Sequence, residues 1–142
     1  MLFRSALIVG AAAESVGVAR AHGFDMEPIV YVELDRWIAA SHGDAASIEA
    51  VDKALFAYLA RQTESGRRGH GSLGRDVLNG RRSEIEFING MIAAKGEELG
   101  VPVPIHRGLT EIVKRIDAGV LKPHPDNIAA LVAAAQDQRR KK

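Results

Sequence analysis

The amino-acid sequence predicts an all-α fold, a bundle of about seven helices. Alanine is abundant and runs of β-branched residues are few, which favours helices over strands. In several segments the apolar residues recur at the three- and four-residue spacing of a helix face. No pair of segments shows the alternating pattern of a strand ladder, and "IVYVEL", residues 29–34, is the strand-like competitor.

The helices can be placed in order along the chain. The first covers residues 2–22 and is ended by Gly23 as its C-terminal cap. A second begins at Pro28, a residue suited to a first turn, and runs to about Ser41. Asp44 can cap the third. The apolar stripe of this third helix consists of Ile48, Val51, Leu55, Tyr58 and Leu59. Four further helices are predicted over residues 72–79, 83–99, 105–118 and 126–139.

Length and charge limit the possible functions. With 142 residues, 46% of them hydrophobic, the chain is most simply one domain, residues 1–142, with a core of its own. The net charge of +1 gives no general attraction to nucleic acid, and the basic tail at residues 139–142 is expected to be solvated. No apolar run approaches the ~18 residues of a membrane span. We therefore expect neither a nucleic-acid partner nor a membrane.

The chain has no cysteine, which excludes disulfides, thiolate metal sites and cysteine nucleophiles. This composition fits a reducing compartment, and a cytoplasmic location is expected. The five histidines lack the paired spacing of helical metal ligands, so no metal site is predicted. The uncharged stretch at residues 5–13, after Arg4, also allows a secretory signal. A continuous helix to His22 is the favoured interpretation.

Residues 69–74, "GHGSLG", spell the G-x-G-x-x-G of a dinucleotide-binding turn. Such a turn needs a buried strand before it and a helix after it. The preceding residues, "RQTESGRR", are too polar for a buried strand, and no βαβ pattern follows. The match is therefore coincidental as a Rossmann signal. What remains is a flexible loop, residues 63–71, leading to a helix that begins at Ser72 and whose N-terminus can bind an anion.

The segment after this loop resembles the C-terminal domain of ketopantoate reductases. That pattern is approximately S-M-x-x-D-x-x-x-G-R-x-T-E-I-D-x-I-N-G, followed by a helix and G-V-x-x-P. The residues in register are Ser72, Asp76, Gly80, Arg81, Ser83, Glu84, Ile85, Ile88, Asn89, Gly90, Gly100, Val101 and Pro104. The dense similarity covers residues 72–118, and a looser one covers the first helix. The departures are Leu73 for Met, Ser83 for Thr, Glu86 for Asp and His106 for a frequent Asn.

The resemblance implies a helical fold like the C-terminal domain of 6-phosphogluconate dehydrogenase. It also implies a part in the NADPH-dependent reduction of 2-dehydropantoate to pantoate, a step of pantothenate biosynthesis. The NADP-binding Rossmann domain and the catalytic Lys of the family have no match in this chain. We therefore expect it to be inactive alone, to hold no catalytic residue and to bind no cofactor by itself.

The expected partners are a separate Rossmann-domain chain and a small 2-oxo acid. The alternative is a non-catalytic helical module of the same family that serves in dimerisation or ligand binding.

Two residues receive a role from the resemblance. Ser72 matches the Ser that binds the substrate, and Glu84 matches the Glu that helps to fix both substrate and cofactor. Each has a structural alternative, because Ser72 can be a helix cap and Glu84 a first-turn acid. If the functional interpretation holds, Ser72, Glu84 and the Gly-rich loop line one concave site.

The neighbours of these residues have structural roles in the prediction. Ser83 and Glu86 form a capping box at the start of the helix over residues 83–99. Arg81 pairs with Asp76.

A homodimer is also expected, through an exposed apolar face of the first helix that includes Leu2, Phe3 and Leu7. Gly10 and Gly17 would allow the two backbones to approach closely.

Overall fold

The computed structural model describes residues 2–64 and 71–140. This part of the chain contains seven α-helices and no strand, which confirms the all-α prediction. The helices are α1 (Leu2–His22), α2 (Leu34–Ser41), α3 (Ala45–Glu64), α4 (Ser72–Leu78), α5 (Asn89–Leu99), α6 (Pro104–Asp117) and α7 (Ala129–Arg140). Two short 3₁₀ helices, Ile85–Phe87 and Pro125–Ile128, precede α5 and α7. None of the described helices is long and apolar enough to cross a bilayer.

Helix α1 lies at the centre of the bundle and packs against α2, α5, α6 and α7. On one side, Val9 meets Trp37 and Val51, which joins α1 to α2 and α3. On the other side, Leu7 meets Ile105 and Ala135, which joins α1 to α6 and α7. The burial of α1 from two sides explains why its sequence is apolar almost all round.

The prediction that Leu7 is exposed for dimerisation is wrong. Leu7 is only 8% exposed, because α6 and α7 of the same chain cover it. A Cβ atom at Gly10 would collide with Cδ1 of Ile105, and one at Gly17 would lie 3.4 Å from Cγ1 of Val101. Both glycines therefore face neighbours within the chain. The side chains of the other two residues named for this face, numbers 2 and 3, lie outside the described part.

Helix α2 begins at Leu34, six residues later than Pro28, where the sequence predicted its start. Ile29 and Val32 instead exchange two backbone hydrogen bonds of 3.1 and 2.9 Å around a tight turn. The turn buries Val32 and presents the Ile29 carbonyl to the indole Nε1 of Trp37, at 3.2 Å. This tertiary contact outweighs the local helical signal. The "IVYVEL" segment is thus a turn with one isolated bridge.

Helix α3 begins as predicted, because the Ser47 amide donates a 2.9 Å hydrogen bond to Oδ2 of Asp44. Val51 is fully buried, and Ile48 and Leu55 pack against the same cluster. The outer part of the predicted stripe is wrong, since Tyr58 and Leu59 are 46% and 51% exposed. Helix α3 has 20 residues and packs mainly against α2, which has eight, so its C-terminal half extends beyond its partner.

The single helix predicted over residues 83–99 is also wrong. A 3₁₀ helix, Ile85–Phe87, ends at Ile88, whose φ of −104° and ψ of −86° leave the helical region. Helix α5 then starts at Asn89 and ends at Leu99, and Gly100 follows as a left-handed cap with a φ of +69°. The break separates Ile85, which is buried, from Ile88, which is 44% exposed. A second 3₁₀ helix likewise replaces the start of the helix predicted over residues 126–139.

Candidate functional site

Ser72 is the first residue of α4 and is exposed. Within the described part of the chain, its hydroxyl has no hydrogen-bond partner. No strand leads into the Gly-rich segment, as its polar sequence predicted. The predicted loop over residues 63–71 begins too early, because helix α3 continues to Glu64. Residues 65–70 of that segment lie outside the described residues, and so does most of the predicted rim of the site.

A tight turn joins α4 to the segment that carries Glu84. Gly80 has a φ of +65°, and the chain after it is held to α4 by Arg81. The Nη2 and Nε atoms of Arg81 lie 2.8 and 3.0 Å from Oδ1 of Asp76. The Arg81 amide also donates to the Asp76 carbonyl, at 2.8 Å. The predicted pairing of Arg81 with Asp76 is confirmed.

Ser83 anchors the N-terminal side of the Glu84 segment to the end of α6. Its hydroxyl donates to Oδ2 of Asp117 at 2.7 Å, and its amide donates to the same oxygen at 3.2 Å. The predicted capping box is therefore wrong, because Glu86 does not reach back to Ser83. The Ser83 hydroxyl donates to the half-buried carboxylate of Asp117 and accepts the Ile85 amide at 3.4 Å. A charge-assisted hydrogen bond to a carboxylate is stronger than one to a neutral group, so this long-range contact fixes the hydroxyl.

Glu86 instead joins two basic side chains at the surface. Its Oε1 atom lies 2.9 Å from Nζ of Lys114, and its Oε2 atom lies 2.9 Å from Nη2 of Arg82. The hydrogen bond from Lys114, followed by the one from Arg82, lowers the pKa of Glu86 below its ordinary value. This ion-pair group connects the 3₁₀ helix to the outer face of α6.

The C-terminal side of the Glu84 segment is anchored by a buried polar network that the sequence analysis missed. The Nδ1 atom of His106 lies 3.0 Å from the side-chain amide nitrogen of Asn89, at the start of α5. Its Nε2 atom lies 2.9 Å from the Ala11 carbonyl and 3.0 Å from the Ser15 hydroxyl. If Nδ1 accepts from Asn89, the proton of a neutral imidazole is on Nε2, where it points at α1. His106 thus joins α1, α5 and α6.

Glu14 of α1 also belongs to this network, through the backbone of Ile105 and His106. Its two carboxylate oxygens accept the backbone amides of Ile105 and His106 at 2.8 and 3.0 Å, so it caps the N-terminus of α6. Burial raises the pKa of Glu14, against the lowering effect of the two amides. Burial also lowers the pKa of His106, against the effect of its bond to the Ala11 carbonyl. A neutral His106 is the state that fits this environment.

Sequence signals for the network existed. Glu14 is the lone acid in the apolar first helix, and His106 follows shortly after Pro104, where the family pattern often has Asn. A charged side chain on a buried face usually has a dedicated partner, which identifies Glu14 as a residue of interest.

Glu84 lies between these two anchors and is itself exposed. It precedes the 3₁₀ helix, and its carboxylate has no hydrogen-bond partner among the residues that the structure describes. Neither Ser72 nor Glu84 lines the clefts of about 430, 540 and 290 Å³ that other described residues form. Their convergence in one concave site stays a prediction.

The chemistry available at these two positions is hydrogen bonding. A serine hydroxyl can donate to a carboxylate or a carbonyl, and a carboxylate can accept from hydroxyl and amide groups. Over residues 2–64 and 71–140, no three His, Asp or Glu side chains lie together in a way that would hold a metal ion.

Comparison with known proteins adds an independent finding. Residues 3–117 match the family model described as "Ketopantoate reductase PanE/ApbA C terminal". A 2-dehydropantoate 2-reductase of Archaeoglobus fulgidus is 37% identical over 62 residues, which are 44% of this chain and 21% of that protein. One of Streptococcus pyogenes is 32% identical over 77 residues, 54% of this chain and 25% of that protein.

A third relative, a 2-dehydropantoate 2-reductase of Vibrio cholerae, is 29% identical over 93 residues, 66% of this chain and 31% of that protein. The matched region thus spans less than a third of the length of these curated relatives. No solved structure shows significant similarity to the chain.

Proposed function

Because the chain belongs to the ketopantoate reductase family, through the C-terminal domain of that family, we propose that it forms the substrate-binding side of an NADPH-dependent 2-oxo-acid reductase. The substrate class is 2-dehydropantoate or a related 2-oxo acid, reduced to the 2-hydroxy acid. The observation that carries the proposal is the match over residues 3–117, which includes the motif around Ser72 and Glu84.

In this proposal, Ser72 and Glu84 hold the substrate. The Ser72 hydroxyl donates a hydrogen bond to the acid, and Glu84 fixes the positions of substrate and cofactor across the cleft between two domains. Two features support a binding role for Glu84. Its carboxylate is exposed, and the segment that carries it is anchored by Ser83 on one side and Asn89 on the other. Such anchoring lowers the entropy lost when a ligand is bound.

An NADP-binding Rossmann domain is the partner that this reaction requires. The hydride belongs to the cofactor, and the helical domain contributes orientation and electrostatics. We propose that the 142-residue chain has no reductase activity by itself and gains activity when a family Rossmann domain is added as a separate protein. The assay follows NADPH absorbance with 2-dehydropantoate as substrate, with and without that domain.

The residue assignment is tested in the same assay and by binding. Glu84→Gln and Ser72→Ala are expected to lower activity and to weaken pantoate binding, with melting temperatures unchanged within a degree or two, as for exposed polar groups. Glu97→Gln, an exposed glutamate on α5, is the matched control and should change neither.

Saturable reduction of 2-dehydropantoate with NADPH by the pure chain would refute the requirement for a Rossmann-domain partner. Pantoate binding without turnover in any combination would instead favour the non-catalytic ligand-binding module.

The homodimer is also retained as a proposal, although the face of α1 that includes Leu7 is not available for it. Light scattering of the chain at tens of micromolar tests it, since a modest interface would be populated in roughly that range. A monomer mass at these concentrations would refute the dimer.

A further inference from the structure

The turn before α2 holds two residues in an unfavourable backbone conformation. Val30 and Tyr31 have φ angles of +50° and +61°, in the left-handed region that Gly and Asn usually occupy. For Val30 the fold provides a reason, because its side chain packs against the cluster of Val9 and Trp37. For Tyr31 it provides none, since that side chain is 90% exposed. Folding alone would be served better by Asn or Gly at this position.

Tyr31 stands at the edge of a cleft of about 290 Å³ between this turn and the outer face of α3. Nine residues line the cleft, among them Val30 and Val32 of the turn and Lys53 and Arg61 of α3. The chain contains two tyrosines, and both line this cleft. Three of the lining residues on α3 are alanines, whose small side chains occupy little of the space beside the tyrosines.

The cleft is positively charged. Lys53 and Arg61 lie eight residues apart on α3, about 12 Å along the helix axis. None of the nine lining residues is acidic. Within the described part of the chain, neither cation forms an ion pair. Both charges are therefore available to a bound anion.

We propose that this cleft binds a small anion that carries a planar ring, of the class of a nucleoside monophosphate. Aromatic side chains bind planar bases by stacking, and Arg and Lys bind phosphate through charge-assisted hydrogen bonds. Small-molecule pockets usually have about 300–1,000 Å³, so this cleft is at the lower limit and suits a mononucleotide better than a dinucleotide. The site is separate from Ser72 and Glu84 and does not depend on the proposed reductase function.

The test uses NMR of the full chain with labelled tyrosine, in which Tyr31 and Tyr58 give the tyrosine ring signals. AMP is the probe, and adenosine and inorganic phosphate are titrated separately. AMP should shift both ring signals. It should bind about tenfold more tightly than adenosine or inorganic phosphate, since removal of one good contact has about this effect. Equal affinity for phosphate and AMP would refute the stacking, and no shift with millimolar AMP would refute the site.

Variants separate a binding role from a folding role. Tyr31→Asn should weaken AMP binding about tenfold and leave the melting temperature unchanged or higher, because Asn accepts the left-handed conformation. Tyr31→Phe should bind as the wild type does. Arg61→Gln should weaken binding, while Arg36→Gln, an exposed control on α2, should not. A lower melting temperature with unchanged binding in Tyr31→Asn would show that Tyr31 serves the fold, which overturns the proposal.

Discussion

Removal of the Ser83 hydroxyl tests how the Glu84 segment is held in place. Ser83 is 8% exposed, and its hydroxyl donates to Oδ2 of Asp117 at 2.7 Å. A hydrogen bond to a charged group contributes about 1.5–3 kcal/mol to stability. The Ser83 amide still reaches the same oxygen in Ser83→Ala, so we expect a loss at the low end, about 1.5 kcal/mol. For a chain of this length that is a melting temperature lower by about 5 °C.

A double-mutant cycle tests whether the stability lost in Ser83→Ala comes from the hydrogen bond to Asp117. Ser83→Ala and Asp117→Ala should show a coupling of about 1–2 kcal/mol in urea unfolding, because each single change removes the same contact. Ser83→Ala and Glu86→Gln are the matched control and should show no measurable coupling. The opposite pattern, with coupling to Glu86 and none to Asp117, would restore the capping box and refute the anchor described above.

Three further predictions concern the core. Burial lowers the pKa of His106 below its ordinary 6.5, so the unfolded chain binds that proton first as the pH falls. Stability should therefore decrease as the pH falls through about 6.5, and His106→Asn should lose this part of the pH dependence in urea unfolding. A Cβ at Gly96 would meet a backbone carbonyl 2.9 Å away, so Gly96→Ala should cost about 1–3 kcal/mol, while Gly71→Ala, with open space around it, should cost none. Trp37→Phe removes buried volume and the bond to the Ile29 carbonyl, and calorimetry should show a loss of about 2 kcal/mol.

Local signals were sufficient where a helix end depends only on its own sequence. Asp44 accepts the amide of Ser47 within one turn, and Gly23 and Gly100 adopt left-handed conformations directly after α1 and α5. Arg81 and Asp76 are five residues apart and meet across one short turn. In each of these cases the two interacting groups are neighbours in sequence, so the pattern of residue types contains the whole interaction.

The family also followed from the sequence alone, since the motif that includes Ser72 and Glu84 is a pattern of residues at fixed spacing. The match over residues 3–117 supports it. The spacing says which side chains to examine. It does not say where Glu84 points, because that direction depends on groups elsewhere in the chain.

Where the interacting groups are distant in sequence, only the tertiary structure determined the local conformation. The Ser83 hydroxyl donates to Asp117, 34 residues away, and does not pair with Glu86. The helix predicted over residues 83–99 is interrupted at Ile88. The Nε2 atom of His106 bonds to the Ala11 carbonyl on α1, 95 residues away. The turn before α2 likewise follows from the packing of Val30 and Val32 in one cluster with Val9 of α1. Long-range contacts outweigh local propensity here because a buried hydrogen bond or a buried ring is worth about 1–3 kcal/mol, whereas helix propensities differ by less than about 1 kcal/mol per residue.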